Sequence, residues 1–373
     1  MRALKIWGVL AVLALVLGGC GNPDVEEGDR FLVLDWNADQ RQYEVVESTI
    51  ETLDDVEAVD GEVAYLRGGG DIIAGTSEPQ TEADYKEALL IEGDETPQAR
   101  YEREDGAVKG LDFHSFLMFT LYHHLEKSVD YFQSIGVGED TVGRIPVYYS
   151  PTLSFIIPVN LLTDNAAYAF TLDAFLIPPQ VLLEEIPLAA NRGVIVHEYS
   201  HAVVNRLVHE DARAPAYLLD DWPDAAANRM AALDEGVADI FGALATGEPN
   251  FIGPSISEEL FDIDRDLSKQ RVYDEALLDE VDTTPQSSFN PYALGTVVAS
   301  TVWALRDDVD DDEALGRAVA DTLRDLSGPE PTFRMADFFN KLWDNLPSHV
   351  QDAACDIFTD RLAAISQELQ CAQ

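Results

Sequence analysis

Between Gly193 and Val204 the chain reads Gly-Val-Ile-Val-His197-Glu198-Tyr199-Ser200-His201-Ala-Val-Val. His197 and His201 are four residues apart. On a helix that spacing puts both imidazoles one turn apart on the same face, where both reach one ion at about 2.0–2.1 Å. Glu198 points to the side, near where a water on such an ion would sit. A carboxylate there takes a proton from the water and hands it to a leaving amine. Val194, Ile195, Val196, Ala202, Val203 and Val204 bury the helix, which fixes ligand geometry and keeps an ion partly dry. A zinc site open for catalysis wants three protein ligands and a water, so a third ligand must come from another element.

The segment Ala232-Leu-Asp234-Glu235-Gly236-Val-Ala-Asp239-Ile-Phe241 supplies candidates, with Glu235 thirty-four residues after His201. Glu235 and Asp239 are four apart, on one face of an apolar helix. Two carboxylates on a buried face require partners. Asp234 is the rival ligand, but its direction on the helix differs from that of Glu235 by about 100°. The metzincin continuation is excluded, because it needs Gly at 204 and His at 207 and the chain has Val204 and Leu207.

H-E-Y-S-H followed by D-E-G-V-A-D resembles the gluzincin metallopeptidases of the thermolysin and fungalysin kind. The resemblance implies zinc as cofactor, held by His197, His201 and Glu235. It implies Glu198 as general base and Asp239 as the hydrogen-bond partner of the outer nitrogen of His197. The implied function is a zinc-dependent peptidase, an endopeptidase acting on peptide or protein substrates. The resemblance spans about residues 111–306, and its specific motifs occupy His197 to Asp239. Two features depart from the family. The gap of thirty-four residues is longer than thermolysin's, which makes Asp211 to Asp224 an expected inserted loop near the cleft. Where such enzymes carry an Asp-x-His-like element, this chain has Asn290-Pro291-Tyr292, so Tyr292 would stand in for the family His that supports the tetrahedral intermediate. A phenol can donate one hydrogen bond to an oxyanion. The alternative for Tyr292 is an aromatic helix start packed on Trp303. This departure leaves open an alternative function, a catalytically inactive chain of the same fold serving as a binding or structural envelope protein.

The elements that must carry these residues follow from periodicity. Phe113, Phe116, Leu117, Thr120, Leu121, His124, Leu125, Val129 and Phe132 recur at helical spacing, with Gly136 as a stop. Strands are predicted at 145–149, 154–159, 167–170 and 175–177. Helices are predicted at 188–208, 225–245, 291–306, 312–326, 335–346 and 350–369. Strands before helices argue α+β: a zincin-like two-lobed catalytic domain over 106–373, with a mixed sheet, an active-site helix and a helical C-terminal lobe. Residues 31–105 carry short β-like runs at Phe31–Trp36, Tyr43–Val46 and Glu62–Leu66. They are expected to form a small β-rich N-terminal domain or pro-segment, which cleavage near the linker at 104–110 would remove. Other candidate groups read blandly. His123 and His124 are adjacent and do not share a helix face, so joint metal binding is not expected. His209 lies two turns from His201, too far for the same ion. Asp307 to Glu313 lacks calcium-loop spacing and reads as a solvated acidic loop capping the next helix.

The first nineteen residues read as an address. Arg2 and Lys5 precede an apolar run from Ile6 to Leu17, too short to span a bilayer comfortably. Leu17-Gly-Gly-Cys20 resembles the lipobox of bacterial lipoproteins, which implies lipid on Cys20 and a tether over 20–30. The expected place is outside the cell, anchored to the envelope, at the outer membrane if there is one. Cys355 and Cys371 remain as an even pair and are expected to form a disulfide contributing roughly 3 kcal/mol. The chain of 373 residues has formal net charge −45, with 69 acidic against 24 basic residues. That charge excludes nucleic acid and an anionic membrane surface as partners, and its solvated acidic surface suits high salt.

Overall fold

In the computed structural model, residues 29–75, 82–154, 163–181, 185–212, 214–218, 222–256 and 264–373 are described. Cys20, the signal segment, nearly all of the tether and most of the strand expected at 154–159 lie outside them. Phe31 and Val33 alternate with exposed or half-buried neighbours, so β1 (Arg30–Asn37) presents one face to the core. It pairs antiparallel with β2 (Gln42–Thr49). β3 (Leu53–Asp55), β4 (Asp60–Gly61), β5 (Ala64–Ala74), β6 (Leu89–Glu95), β7 (Tyr101–Glu104) and β8 (Ala107–Gly110) follow. Beyond the first long helix come β9 (Ile145–Tyr149), β10 (Thr152–Leu153), β11 (Ala167–Ala169) and β12 (Ala174–Ile177). They form two sheets. One is four-stranded in the order β2-β1-β8-β7. The other is eight-stranded, β11-β12-β9-β5-β4-β3, with β6 and β10 also pairing β5. Both mix parallel and antiparallel pairs.

Strand pairing crosses the expected division at residue 105. β5 precedes the boundary and β9 follows it, yet they run parallel side by side from Ala64 opposite Ile145 to Gly68 opposite Tyr149. β1 and β8 pair across it as well. The physical reason is that a period-two pattern announces a strand without naming its partner, and these pairings are long-range. The hairpin of β1 and β2 is further bonded to later helices. Trp36 Nε1 donates to the Thr246 carbonyl at 3.0 Å, and Arg41 makes two 2.8 Å bonds to Glu248. Removing 31–105 as a pro-segment would extract β5 from the middle of the larger sheet.

Helix α1 (Phe113–Ser134) starts at Asp112, whose side chain accepts from the Ser115 amide, and ends before Gly136, which sits at φ +87°. It is buried on nearly every side because sheet strands lie on one flank and the site helix on another. α2 (Arg192–Leu207) begins later than the periodicity predicts. Leu188–Ala190 is a separate 3₁₀ turn, and Asn191 caps the helix by accepting from the Val194 amide. α3 (Asp224–Thr246) ends at Gly247 in the left-handed region. α4 (Glu275–Thr283), capped by Asp274, is unforeseen. α5 (Pro291–Trp303), α6 (Asp312–Asp325), α7 (Met335–Asn345) and α8 (Gln351–Arg361) complete the helical part. Asp311 caps α6, in keeping with the capping role expected of the acidic loop. The predicted helix to 369 breaks at Leu362 into a 3₁₀ turn, and a disulfide joins Cys355 to Cys371. Among the described residues no helix is long and apolar enough to cross a membrane.

α3 crosses α5 where glycines meet. A Cβ on Gly236 would lie 2.6 Å from the Gly295 carbonyl oxygen, and one on Gly295 would lie 2.9 Å from that of Ala232. No backbone there can give way without separating the helices. Gly236→Val is expected to destabilise the fold by about 1–3 kcal/mol. Denaturant unfolding monitored by circular dichroism checks this, and an unchanged midpoint would refute the close-packing argument.

Candidate metal centre

α2 and α3 pack against each other and bring their polar side chains to one point. His197, Glu198 and His201 each offer a ligand atom within 4.8 Å of the others. The two histidine Nε2 atoms are 3.2 Å apart. Glu235 Oε2 lies 3.5 Å from His197 Nε2 and 3.9 Å from His201 Nε2. These three atoms make a triangle with edges close to the ligand–ligand spacing of about 3.3 Å that 2.0–2.1 Å bonds give in tetrahedral geometry. Glu235 Oε2 is buried and has no hydrogen-bond partner among the described residues. An orphaned carboxylate oxygen facing two imidazole nitrogens fits a cation as its missing partner.

Both histidines are held from behind. His197 Nδ1 is 3.0 Å from Asp239 Oδ1. His201 Nδ1 is 3.0 Å from Asp234 Oδ1. Carboxylates so placed fix each tautomer and turn Nε2 toward the centre. Asp234 therefore serves as the second histidine's partner, a role the sequence reading missed. The signal was available: neighbouring carboxylates pointing 100° apart can serve two different imidazoles. Tyr217 Oη donates to the other oxygen of Asp234 at 3.3 Å, so the expected inserted loop does reach this network.

Arg265 was also missed. Its Nε donates to Asp239 Oδ2 at 3.1 Å, its Nη2 bonds Asp239 Oδ1, and its guanidinium stands 4.7 Å over the Tyr292 ring. No spacing marks it, since it lies twenty-six residues beyond Asp239 in a loop. Tyr292 thus sits beside the centre. The negative charge of Glu235, then burial, raises its pKa, so the phenol keeps its proton. Trp303 is at the far end of the same helix, under Arg306.

Glu198 is buried beside the histidines, and its Oε2 accepts from the Tyr168 amide of β11 at 2.8 Å. Burial raises its pKa, against the lowering effect of His197 and His201. On His201 burial opposes protonation, yet Asp234, Glu235 and Glu198 outweigh it and raise the pKa to about 10. Four carboxylates (Glu198, Asp234, Glu235, Asp239) crowd this small volume against two imidazoles and one guanidinium. That excess of negative charge suits a divalent cation. The donor set of two imidazoles and a carboxylate suits zinc.

His209 stands apart from the ligands, against the Tyr217 ring at 5.4 Å. It is buried, and neither ring nitrogen has a partner among the described residues. Burial pushes its pKa down to about 4. The unfolded imidazole titrates near 6.5, so protonation favours unfolding. Stability is expected to fall as pH drops below about 6.5 and to go on falling until about 4, a loss on the order of 3 kcal/mol. His209→Leu should flatten that part of a stability-against-pH curve; an unaltered slope would show that other groups cause it.

No family model matches the sequence, and no curated protein matches it. Among solved structures, the chain is similar to the precursor of protealysin, a metalloproteinase from Serratia proteamaculans. That match has 13% identity and a TM-score of 0.44, covering 79% of this chain and 86% of that one.

Proposed function

We propose that this chain is a zinc-dependent peptidase, an endopeptidase, with zinc held by His197, His201 and Glu235. The observation carrying the reading is the triangle of Nε2, Nε2 and orphaned Oε2 atoms with Glu198 beside it. Zinc in that position polarises a scissile carbonyl and makes a water more acidic. The rest of the work falls to the chain. Glu198 accepts the proton of the attacking water at a carboxylate oxygen, its Oε2 meanwhile anchored by the Tyr168 amide. It then returns that proton to the leaving amine. The protonated Tyr292 phenol donates to the oxyanion. Asp239 and Asp234 hold the imidazoles, and Arg265 holds Asp239.

Substrates are peptides or proteins. The acidic charge argues against nucleic acid. The lipobox-like Leu-Gly-Gly-Cys20 supports export and lipid anchoring to the cell envelope, at the outer membrane of a diderm cell. Cleavage of a mixed peptide library, read by mass spectrometry, tests the function. New termini are expected with the zinc-loaded protein, none after treatment with 1,10-phenanthroline, and recovery on adding Zn²⁺. A zinc-loaded protein that cuts nothing in the library would overturn the peptidase reading in favour of a non-catalytic binding protein.

A further inference from the structure

A second group of ligand-type side chains lies at the opposite end of α2 from His201, where β1, α1 and the helix start meet. Asp35 is on β1, and His123 and His124 are on α1. Each can offer one atom within 4.8 Å of the other two. Adjacent histidines do not share a helix face, yet both stand near one carboxylate here. The two rings splay to either side of one carboxylate, with centroids 5.4 Å apart. His123 Nε2 is 3.2 Å from Asp35 Oδ2, and His124 Nδ1 is 3.9 Å from Asp35 Oδ1. Both histidines are fully buried.

His124 makes the telling contact. Its Nε2 lies 3.1 Å from the Ala190 carbonyl oxygen, which can only accept, so Nε2 carries the hydrogen. Its Nδ1 is buried and without a hydrogen-bond partner among the described residues, 3.9 Å from Asp35 Oδ1. A buried imidazole nitrogen without a partner, beside a carboxylate, suits a shared cation. A neutral histidine that donates its outer N–H to a backbone carbonyl is also the usual arrangement of a metal ligand. Asp35 Oδ1 accepts from the Trp36 amide at 2.8 Å, and Arg192 Nη1 stands 3.8 Å away, beyond hydrogen-bond reach, so the second lone pair of that oxygen stays available.

A route in exists. Asp35 forms part of the wall of an open cavity of about 330 Å³, which Asp39, Glu44 and Asn37 also line. Acidic walls draw cations toward Asp35, which both imidazoles approach within 4 Å. We propose that Asp35, His123 and His124 form a second metal site, for a divalent transition-metal cation that favours imidazole and carboxylate ligands, entered through this cavity. Bound there, the ion ties β1 to α1. Through His124 and Ala190 it also steadies the backbone one residue before the Asn191 cap of α2.

Metal stoichiometry of the full chain tests this, measured by elemental analysis after dialysis against Zn²⁺ and by the visible spectrum with Co²⁺. Two equivalents are expected in the wild-type protein. His197→Ala with His201→Ala should keep one, together with a Co²⁺ spectrum showing nitrogen ligation and a melting temperature that rises on adding Zn²⁺. Asp35→Asn should lose one equivalent. If that variant does not fold, His124→Gln, whose amide can still donate to Ala190, replaces it. A single wild-type equivalent that vanishes in the His197/His201 variant and survives at Asp35→Asn would overturn the proposal. A single equivalent with the reverse behaviour would support it, and would overturn zinc at His197 and His201 instead.

Discussion

Glu198→Gln is expected to keep its metal and to lower kcat/KM for peptide hydrolysis by at least about a hundredfold. The substitution changes little except basicity. A glutamine side chain has the same length, and its amide oxygen can still accept from the Tyr168 amide that Glu198 now engages at 2.8 Å. The nitrogen and oxygen atoms proposed to hold the ion belong to His197, His201 and Glu235 and are untouched. What disappears is the carboxylate that accepts a proton from water. Elemental analysis beside steady-state kinetics separates the two properties. Unchanged metal with lost turnover is the expected pair. Turnover near that of the wild type would remove Glu198 from the chemistry, and lost metal would recast it as a ligand.

Asp239→Ala should damage both fold and metal affinity. Asp239 is almost fully buried between His197 Nδ1 and the Arg265 guanidinium, and Arg265 is itself buried. Truncation strands the guanidinium without a counter-charge, a defect that costs about 3–5 kcal/mol when one member of a buried pair is removed. It also frees the His197 ring from its orienting carboxylate, which typically weakens metal binding by about 10–100-fold. Asp239→Asn retains the shape and one acceptor, so it should fall between the wild type and Asp239→Ala in both measurements. Denaturant unfolding of the metal-free protein reports the first effect. Competition with a chelator of known affinity reports the second. A metal-free Asp239→Ala protein as stable as wild type would show that Arg265 finds another anion.

Some of this arrangement could be read from residue order because helices write it locally. His197 with His201, and Glu235 with Asp239, are each one turn apart, so their shared faces are legible before any fold is known. The α+β pattern and the helical C-terminal part were legible for the same reason. Contacts made by chain segments that meet only on folding were not. Arg265 reaches Asp239 from a loop with no periodicity. Asp234 looked like a competitor of Glu235 because its target, His201, lies on another helix. Asp35 meets His123 and His124 across eighty-eight residues of chain in the first case. Between 31 and 103, β1, β2 and the start of β5 were recognisable as strands, while β3, β4, β6 and β7 were not, and nothing local said that β5 would lie between β4 and β9. A sequence boundary drawn where composition changes therefore cut through a sheet.

That sheet has a bearing on how the protein could be controlled. Many secreted hydrolases are made harmless by a detachable shield, and cutting it away is an irreversible on-switch. Residues 31–105 cannot play that part here, because the segment that would be discarded supplies β5, an interior strand of the larger sheet, and the hairpin bonded to the ends of α2 and α3. Clipping the chain at the β7–β8 turn would be a wound, not an activation. Proteolysis at that turn is expected to unsettle the whole sheet rather than release a finished domain.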